Sequence, residues 1–269
     1  MQRFFREGMK ITIIQSNPHW TAYRSNASEM EKIISSAADS DLYILPEMWN
    51  TGFVVDTNSI PSEMADYSLA WMLETAKKSN AAICGSIAVK IDNDDKNGSN
   101  GGCTYRNRLY FVKPDGTYSY YDKRHLFSHG GENNMFTAGN TRTVVEWRGW
   151  RFLLLICYDL RFPIWARYNN DYDAIITVAN WPEQRISAWD ILTKARAIEN
   201  QCFFIGCNRT GYDKSNNFYP GHSCIINPEG INIATGQGDG QLTVSACIDK
   251  TALNEYRQSF NTLNDRDNK

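Results

Sequence analysis

An unbroken apolar stretch that ends in a cysteine constrains this sequence more than any other feature. Residues 152–156 are Phe-Leu-Leu-Leu-Ile, and Cys157-Tyr-Asp-Leu-Arg-Phe-Pro163 follows directly. Leucine and isoleucine without polar alternation predict a strand that is covered on both faces. Pro163 suits the first turn of a helix, where its missing N–H costs nothing. The sequence therefore predicts that Cys157 lies in a turn between a buried strand and a helix N-terminus.

Such a position favours a reactive thiol. Backbone N–H groups near a helix N-terminus stabilise a thiolate and can bind an anion that forms during a reaction. The alternative is a packing cysteine, because free cysteine is among the most buried residue types. Cys157 is thus a candidate nucleophile, and the groups beside it decide between the two interpretations.

Composition and charge exclude several classes of protein. The 269 residues carry a formal net charge of −2, which argues against a nucleic acid or a membrane surface as partner. No apolar run approaches the roughly 20 residues that span a bilayer, and the first eight residues lack the apolar core of a signal peptide. The seven cysteines include no CxxC pair, so free thiols in a reducing compartment are expected rather than disulfides or a zinc site. We therefore expect a cytoplasmic location.

Strand-like and helix-like segments alternate along the chain, with no repeat and no dividing linker. The predicted strands are 10–15, 42–45, 82–91, 108–113, 152–156, 174–178, 202–206, 223–226 and 243–248, with helices at 26–38, 62–79 and 187–200. Residues 92–102, which are rich in Asp, Asn and Gly, are predicted to be a loop. The alternation indicates an α/β fold in which helices cover sheet faces. We expect an N-terminal extension (1–8), a single domain (9–260) and a polar C-terminal tail (261–269).

Two more ionisable residues directly follow apolar, strand-like segments. Glu47 follows Leu-Tyr-Ile-Leu-Pro, and Lys123 follows Tyr-Ser-Tyr-Tyr-Asp. The carboxyl ends of strands are where α/β proteins place their sites. Each residue taken alone has an ordinary alternative, namely a solvated loop glutamate and a surface lysine at a strand end. His125 and His222 show no thiol-protease pattern, so we predict that they are hydrogen-bonded structural or surface histidines.

Together, these segments resemble the nitrilase superfamily of carbon–nitrogen hydrolases, which uses a Glu–Lys–Cys triad. The matching motifs are Leu-Pro-Glu47-Met-Trp, Tyr-Asp-Lys123-Arg-His-Leu-Phe and Cys157-Tyr-Asp-Leu-Arg-Phe-Pro. The similarity runs from about Lys10 to Arg257 and includes Ala-Asn-Trp-Pro at 179–182. The motifs are most similar to the ω-amidase branch, whose members hydrolyse the terminal amide of α-keto acid amides such as 2-oxoglutaramate.

The resemblance implies a fold, a mechanism and an assembly. The fold is a four-layer α-β-β-α sandwich, the assembly is a homodimer that packs helix layer on helix layer, and no metal or organic cofactor is implied. Glu47 would be the general base and Cys157 the nucleophile that forms a thioester. Lys123 and the backbone N–H of Tyr158 would bind the oxyanion. Glu132 matches a second glutamate that positions the substrate, although it is also explained as a plain loop residue.

Substrate choice is the least constrained inference. Arg161, four residues beyond the nucleophile, is a candidate clamp for a substrate carboxylate, because a guanidinium can bind a carboxylate in a bidentate fork. An ion pair with Asp159 is the alternative for Arg161, and Arg209 is then the next candidate clamp. Trp181 is expected to form a pocket wall. An N-carbamoyl amino-acid hydrolase, a nitrilase or a catalytically silent binding protein with the same fold stay open as alternatives.

Overall fold

The computed structural model describes residues 8–267, apart from residue 38, residues 93–102 and residues 237 and 239. Most of the predicted extension and of the predicted 92–102 loop therefore lies outside the described residues. The first seven strands are β1 (Met9–Gln15), β2 (Leu42–Ile44), β3 (Ala82–Asp92), β4 (Cys103–Val112), β5 (Tyr118–Asp122), β6 (Val144–Trp147) and β7 (Trp150–Ile156). The others are β8 (Ala174–Ala179), β9 (Phe203–Asn208), β10 (Thr210–Tyr212), β11 (Phe218–Pro220), β12 (Cys224–Ile226), β13 (Asn232–Thr235) and β14 (Leu242–Ile248). The helices are α1 (Tyr23–Ser36), α2 (Met64–Ser79), α3 (Pro163–Ala166), α4 (Ile186–Glu199) and α5 (Lys250–Ser259).

Within the described residues, the strands form two six-stranded sheets and a separate hairpin of β10 and β11. The first sheet has the order β14-β1-β2-β3-β4-β5, and the second has the order β13-β12-β9-β8-β7-β6. The centre of each sheet is parallel, with β1, β2 and β3 in the first and β7, β8 and β9 in the second. Two antiparallel steps then leave β5 running in the same direction as β3. Residues that follow β2 and β5 consequently emerge at the same edge of the first sheet, as those after β7 and β8 do in the second.

The two sheets pack face to face, and helices cover their outer faces. Ile11 of β1 shares a buried core with Phe152 of β7, and the rings of Phe111 and Phe152 stack with their centroids 5.9 Å apart. Ile14 points to the other side, into a cluster with residues of α1 and α2. Trp189 of α4 packs on the outer face of the second sheet. The alternation of side chains along β1 thus serves two cores, and the predicted four-layer sandwich is confirmed.

Two features of the C-terminal region were not foreseen. The sequence did not predict α5, whose only buried residue is Leu253; Asp249 caps this helix by accepting from the backbone N–H groups of Thr251 and Ala252. The segment is mostly polar, so it lacks the apolar residues by which the other helices were recognised. The predicted polar tail makes contacts as well, because Arg266 donates to the carbonyl of Tyr168 at 2.8 Å. No helix in the described part of the chain is long and apolar enough to cross a membrane.

Candidate active site

The cysteine lies in the predicted strand–turn–helix junction. The strand β7 ends at Ile156, a single 3₁₀ turn covers Cys157–Arg161, and α3 begins with Pro163 at its first position. Cys157 has a φ of +45°, in the left-handed region that residues other than glycine rarely adopt. Such a conformation costs on the order of 1–3 kcal/mol and persists only where the surroundings enforce it.

The surroundings of the turn supply that enforcement. The buried carboxylate of Asp159 accepts hydrogen bonds from the backbone N–H of Ile156 at 3.0 Å and from the hydroxyl of Tyr121 at 2.8 Å. His125 adds its backbone N–H at 2.9 Å and its ring Nδ1 at 2.8 Å, and the ring stacks on Phe162. Asp159 therefore ties the turn to β5 and to the segment after it, which leaves no room for the predicted alternative, an ion pair with Arg161.

Both histidines have structural partners, as predicted. The ring of His125 pairs with Asp159, and the ring Nδ1 of His222 lies 2.9 Å from a carboxylate oxygen of Asp190. Arg196 of α4 pairs with Glu199 at 2.9 Å. Its guanidinium also donates to the carbonyl of Leu160 at 2.6 Å, which fixes the turn from the side of α4.

The structure brings Glu47, Lys123 and Glu132 into direct contact. The ammonium of Lys123 lies 2.8 Å from Oε1 of Glu47 and 2.8 Å from Oε2 of Glu132. All three side chains are fully buried, which excludes the alternatives of a solvated glutamate and a surface lysine. Buried charges of this kind are tolerated only when they are paired and hydrogen-bonded. The ammonium is therefore built into the site between two carboxylates.

Two asparagines that the sequence did not single out complete this network. The amide of Asn107 donates to Oε1 of Glu47 at 2.8 Å and to Oε1 of Glu132 at 2.9 Å, so it bridges the two carboxylates. The backbone N–H and the side-chain amide of Asn180, directly after β8, both donate to Oε2 of Glu47, at 2.9 Å and 3.2 Å. Both oxygens of Glu47 are thus held in place.

The electrostatics of the site favour the thiol form of Cys157, in contrast to the thiolate expected from its place before a helix. Burial raises the pKa of the Cys157 thiol well above its usual range, the Glu47 carboxylate raises it further, and Lys123 lowers it in part. Burial by itself would lower the pKa of Lys123, but the charges of Glu132 and Glu47 outweigh burial and raise it above its ordinary value. The ammonium form of Lys123 and the thiol form of Cys157 are therefore both favoured. The thiol therefore needs a base at the moment of attack, and Glu47 is the carboxylate that shares its cavity.

A cavity of about 450 Å³ opens onto these groups. Cys157, Glu47, Lys123 and Asn180 line its inner end. Aromatic and apolar residues form part of its wall: Trp20, Phe53, Val55, Phe127, Pro182 and Tyr219. The outer part is polar and carries Arg185 together with Asp213 and Lys214 of the turn between β10 and β11.

The two residues predicted to set specificity do not line this cavity. Arg161 stacks on Trp181, with the guanidinium carbon 4.9 Å from the ring centroid, and Trp181 is buried and donates to the carbonyl of Arg185 at 2.7 Å. The predicted clamp and pocket wall are therefore corrected, since each side chain packs against the other beside the site. Arg209, the next candidate, is likewise occupied: it donates to Asn17 and to the carbonyl of Tyr212 and stacks on Tyr219.

Two stacked sheets with a buried Glu–Lys pair and a cysteine at one edge define a thiol hydrolase of the carbon–nitrogen type. The chain belongs to the carbon–nitrogen hydrolase family, whose model matches residues 10–258. It is 40% identical to the omega-amidase YafV of Escherichia coli K12 over 97% of both chains. It is 36% identical to the 2-oxoglutaramate amidase of Bacillus subtilis, over 84% of this chain and 85% of that protein.

Among solved structures, XC1258 from Xanthomonas campestris is a CN-hydrolase superfamily protein with an arsenic adduct in its active site. This chain superposes on it with a TM-score of 0.90 at 34% sequence identity, covering 98% of this chain and 99% of that one. The family assigned from three short motifs in the sequence is therefore confirmed over nearly the whole chain.

Proposed function

We propose that this protein hydrolyses the terminal amide of a linear α-keto acid ω-amide such as 2-oxoglutaramate, releasing ammonia and a carboxylic acid. The observation that carries the proposal is the position of Cys157 at the inner end of a cavity that also holds Glu47 and the charged Lys123. The names of the E. coli and B. subtilis relatives support the choice of substrate.

Acylation begins when the amide carbon of the substrate approaches Sγ of Cys157. Glu47 accepts the thiol proton as the carbon–sulfur bond forms, and the carbonyl oxygen becomes an oxyanion. The ammonium of Lys123 and the backbone N–H of Tyr158 stabilise that charge. Glu47 then returns the proton to the amide nitrogen, the carbon–nitrogen bond breaks, and ammonia leaves a thioester on Cys157.

Deacylation repeats the sequence with water. Glu47 accepts a proton from a water molecule whose oxygen attacks the thioester carbon, and the carbon–sulfur bond breaks with the proton returning to sulfur. Glu132 supports both halves, because its carboxylate holds the ammonium of Lys123 and is itself fixed by the backbone N–H of Phe127 at 2.7 Å. Through that contact Glu132 would keep Lys123 beside the reacting carbonyl.

A comparison of ammonia release tests the proposed substrate. The purified protein is given 2-oxoglutaramate, an N-carbamoyl amino acid and a short aliphatic nitrile, with the Cys157→Ala variant as the blank. We expect the highest kcat/KM on 2-oxoglutaramate. A clear preference for the carbamoyl compound or the nitrile would replace the proposed substrate and leave the cysteine mechanism in place. No cysteine-dependent turnover of any of the three would favour a silent binding protein.

We also propose a homodimer that packs through the layer of α3 and α4, together with a cytoplasmic location. Three isoleucines in this layer are largely exposed in the single chain: Ile164 at 81%, Ile191 at 67% and Ile198 at 51%. Ile191 and Ile198 are seven residues apart and therefore lie on one face of α4, and an exposed apolar helix face is typical of protein interfaces. Light scattering after size exclusion would test the assembly, and Ile191→Glu should convert a dimer to a monomer.

A further inference from the structure

Given the function proposed above, we infer that Arg185 and Lys214 together bind the distal carboxylate of the substrate, so that the cavity selects amides that carry one. Both residues line the outer part of the cavity that opens onto Cys157. Arg185 follows β8 at the entrance to α4, and Lys214 lies in the turn of the β10–β11 hairpin. The two cations therefore reach the same space from separate parts of the chain.

Each cation rests on an aromatic ring rather than on an acidic partner. The guanidinium carbon of Arg185 lies 5.2 Å from the ring centroid of Phe127, and the ammonium of Lys214 lies 5.3 Å from that of Trp20. Within the described residues, neither side chain forms an ion pair. A ring face positions a cation without neutralising it. Both charges are consequently available to a ligand.

The one acidic residue in the outer part of the cavity is already satisfied. The carboxylate of Asp213 accepts four hydrogen bonds of 2.9 Å, from the backbone N–H groups of Ser215 and Asn217, the amide of Asn217 and the hydroxyl of Tyr219. These bonds close the hairpin turn. Asp213 thus fixes the loop that carries Lys214, and both of its carboxylate oxygens face hydrogen-bond donors of that loop.

The charges give the cavity a polarity that orients a substrate. At the inner end, Glu47, Glu132 and Lys123 carry two negative charges and one positive charge, which is a net charge of −1. At the outer part, Arg185, Lys214 and Asp213 carry two positive charges and one negative, which is a net charge of +1. A carboxylate at the inner end would meet like charges at close range, whereas a neutral amide would not. An amide with a carboxylate at its far end therefore enters with the amide toward Cys157.

The test compares three amides, each of which lacks one group that the one before it carries. 2-Oxoglutaramate carries the carboxylate and the keto group, glutaramate carries only the carboxylate, and butyramide carries neither. Removing a charged hydrogen-bond partner typically costs about ten- to a hundredfold in binding. We expect Arg185→Met and Lys214→Gln each to raise KM by roughly tenfold on the two charged amides, and the double variant by roughly a hundredfold. On butyramide, kcat/KM should change by less than about threefold.

Conservative and control variants separate charge from packing. Arg185→Lys keeps a cation on Phe127 and should recover part of the loss, whereas Arg185→Met keeps only the apolar stem. Lys214→Glu should lower the rate on charged amides more than Lys214→Gln does, since it adds repulsion. Lys32→Gln and Arg167→Gln remove exposed cations elsewhere on the surface and should leave all three amides unchanged.

The outcomes distinguish this inference from the proposed function. If the wild-type protein hydrolyses glutaramate well and 2-oxoglutaramate poorly, the keto-acid substrate is wrong, and the role of Arg185 and Lys214 in binding a carboxylate is retained. If the double variant loses the same factor in kcat/KM on the charged amides and on butyramide, the inference is overturned, and the two residues only maintain the shape of the cavity. A wild-type preference for butyramide over both charged amides would overturn the pair as well, with cysteine-dependent amide hydrolysis intact.

Discussion

The inner and outer ends of the cavity are built in different ways. At the inner end, the charged groups are fixed by several hydrogen bonds each, and Glu47 alone receives bonds from Lys123, Asn107 and Asn180. At the outer part, Arg185 and Lys214 are held only by aromatic rings. Catalysis requires geometry that is right to a fraction of an ångström, whereas recognition of a distal charge tolerates adjustment. The contrast indicates that chemistry is determined at the sheet edges and specificity in the loops.

The largest expected effect on ammonia release comes from replacing Cys157 at the inner end of the cavity. Cys157→Ala should reduce ammonia release by at least about 10³-fold, because no other group there can form the thioester. Cys247→Ala, which alters an exposed cysteine, is the matched control and should be nearly neutral. Circular dichroism should show that both variants remain folded. Substantial turnover by Cys157→Ala would refute the mechanism.

Removing the ammonium should have the next largest effect. Lys123→Met takes away a preorganised oxyanion donor, which typically costs on the order of 10²–10³ in kcat. It also leaves Glu47 and Glu132 buried without their cation, so a lower midpoint in urea should accompany the loss of rate. Steady-state kinetics on 2-oxoglutaramate and urea titrations would measure the two effects. A variant with wild-type kcat would show that Lys123 only holds the fold.

The bridging amide offers a sharper test of the inner end. Asn107→Asp places a third carboxylate beside Glu47 and Glu132 and removes the amide that donates to both, so like charges repel around the base. Because the base must be ionised to accept the thiol proton, the acidic limb of the pH–rate profile should move to higher pH. We expect a loss of roughly tenfold in kcat/KM near neutral pH, with recovery at higher pH. A uniform loss at every pH would assign Asn107 to packing alone.

The smallest effect concerns the hydrogen bonds that Asp213 accepts in the β10–β11 turn, which together brace that turn. Burial would raise the pKa of Asp213, but the hydrogen bonds from Asn217 and Tyr219 outweigh it and hold that pKa below its ordinary value. A depressed pKa means that the brace is present above the unfolded pKa of about 3.9 and is lost as the pH falls through the folded value. Asp213→Asn should therefore raise KM for charged amides by a few-fold at pH 7, with little change in kcat.

A matched control for this variant lies away from the cavity. Asp171 also has a lowered pKa, with bonds from Arg142 outweighing its burial, but it does not line the cavity. Like Asp213, Asp171 stabilises the folded protein above its lowered pKa and not below it. Asp171→Asn should therefore lower thermal stability near neutral pH and leave KM unaltered. If Asp213→Asn and Asp171→Asn changed KM equally, the hairpin turn would have no specific role in substrate binding.

Local patterns in the sequence predicted most of the fold. The strands of both sheet centres and the helices α1, α2 and α4 were predicted to within a few residues, because the central strands are compact apolar runs and the helices are the longer segments between them. The hairpin of β10 and β11 was not predicted, because Thr-Gly-Tyr and Phe-Tyr-Pro contain no aliphatic run of the kind that marks the equally short β2 and β12. The helix α5 was missed because it buries a single leucine.

The sequence by itself determined which chemistry the site can carry. Glu47, Lys123 and Cys157 each follow an apolar strand directly, and strands that run in the same direction bring their carboxyl ends to one edge. Residue type and local position therefore sufficed to single out these three side chains, and the family motifs grouped Cys157, which follows a strand of the second sheet, with the other two. The family motifs added Glu132, which the structure places against Lys123.

The tertiary structure alone decided which polar residues support and flank that chemistry. Asn107 lies inside β4, sixty positions from Glu47 along the chain, and only the pairing of β4 with its neighbours brings their side chains within 2.8 Å. Arg161 is near Cys157 in sequence, yet the 3₁₀ turn directs its guanidinium onto Trp181. Lys214 is far from Cys157 in sequence and faces the cavity because a hairpin folds over it. Proximity in a loop is set by packing between distant segments, and no local pattern records it.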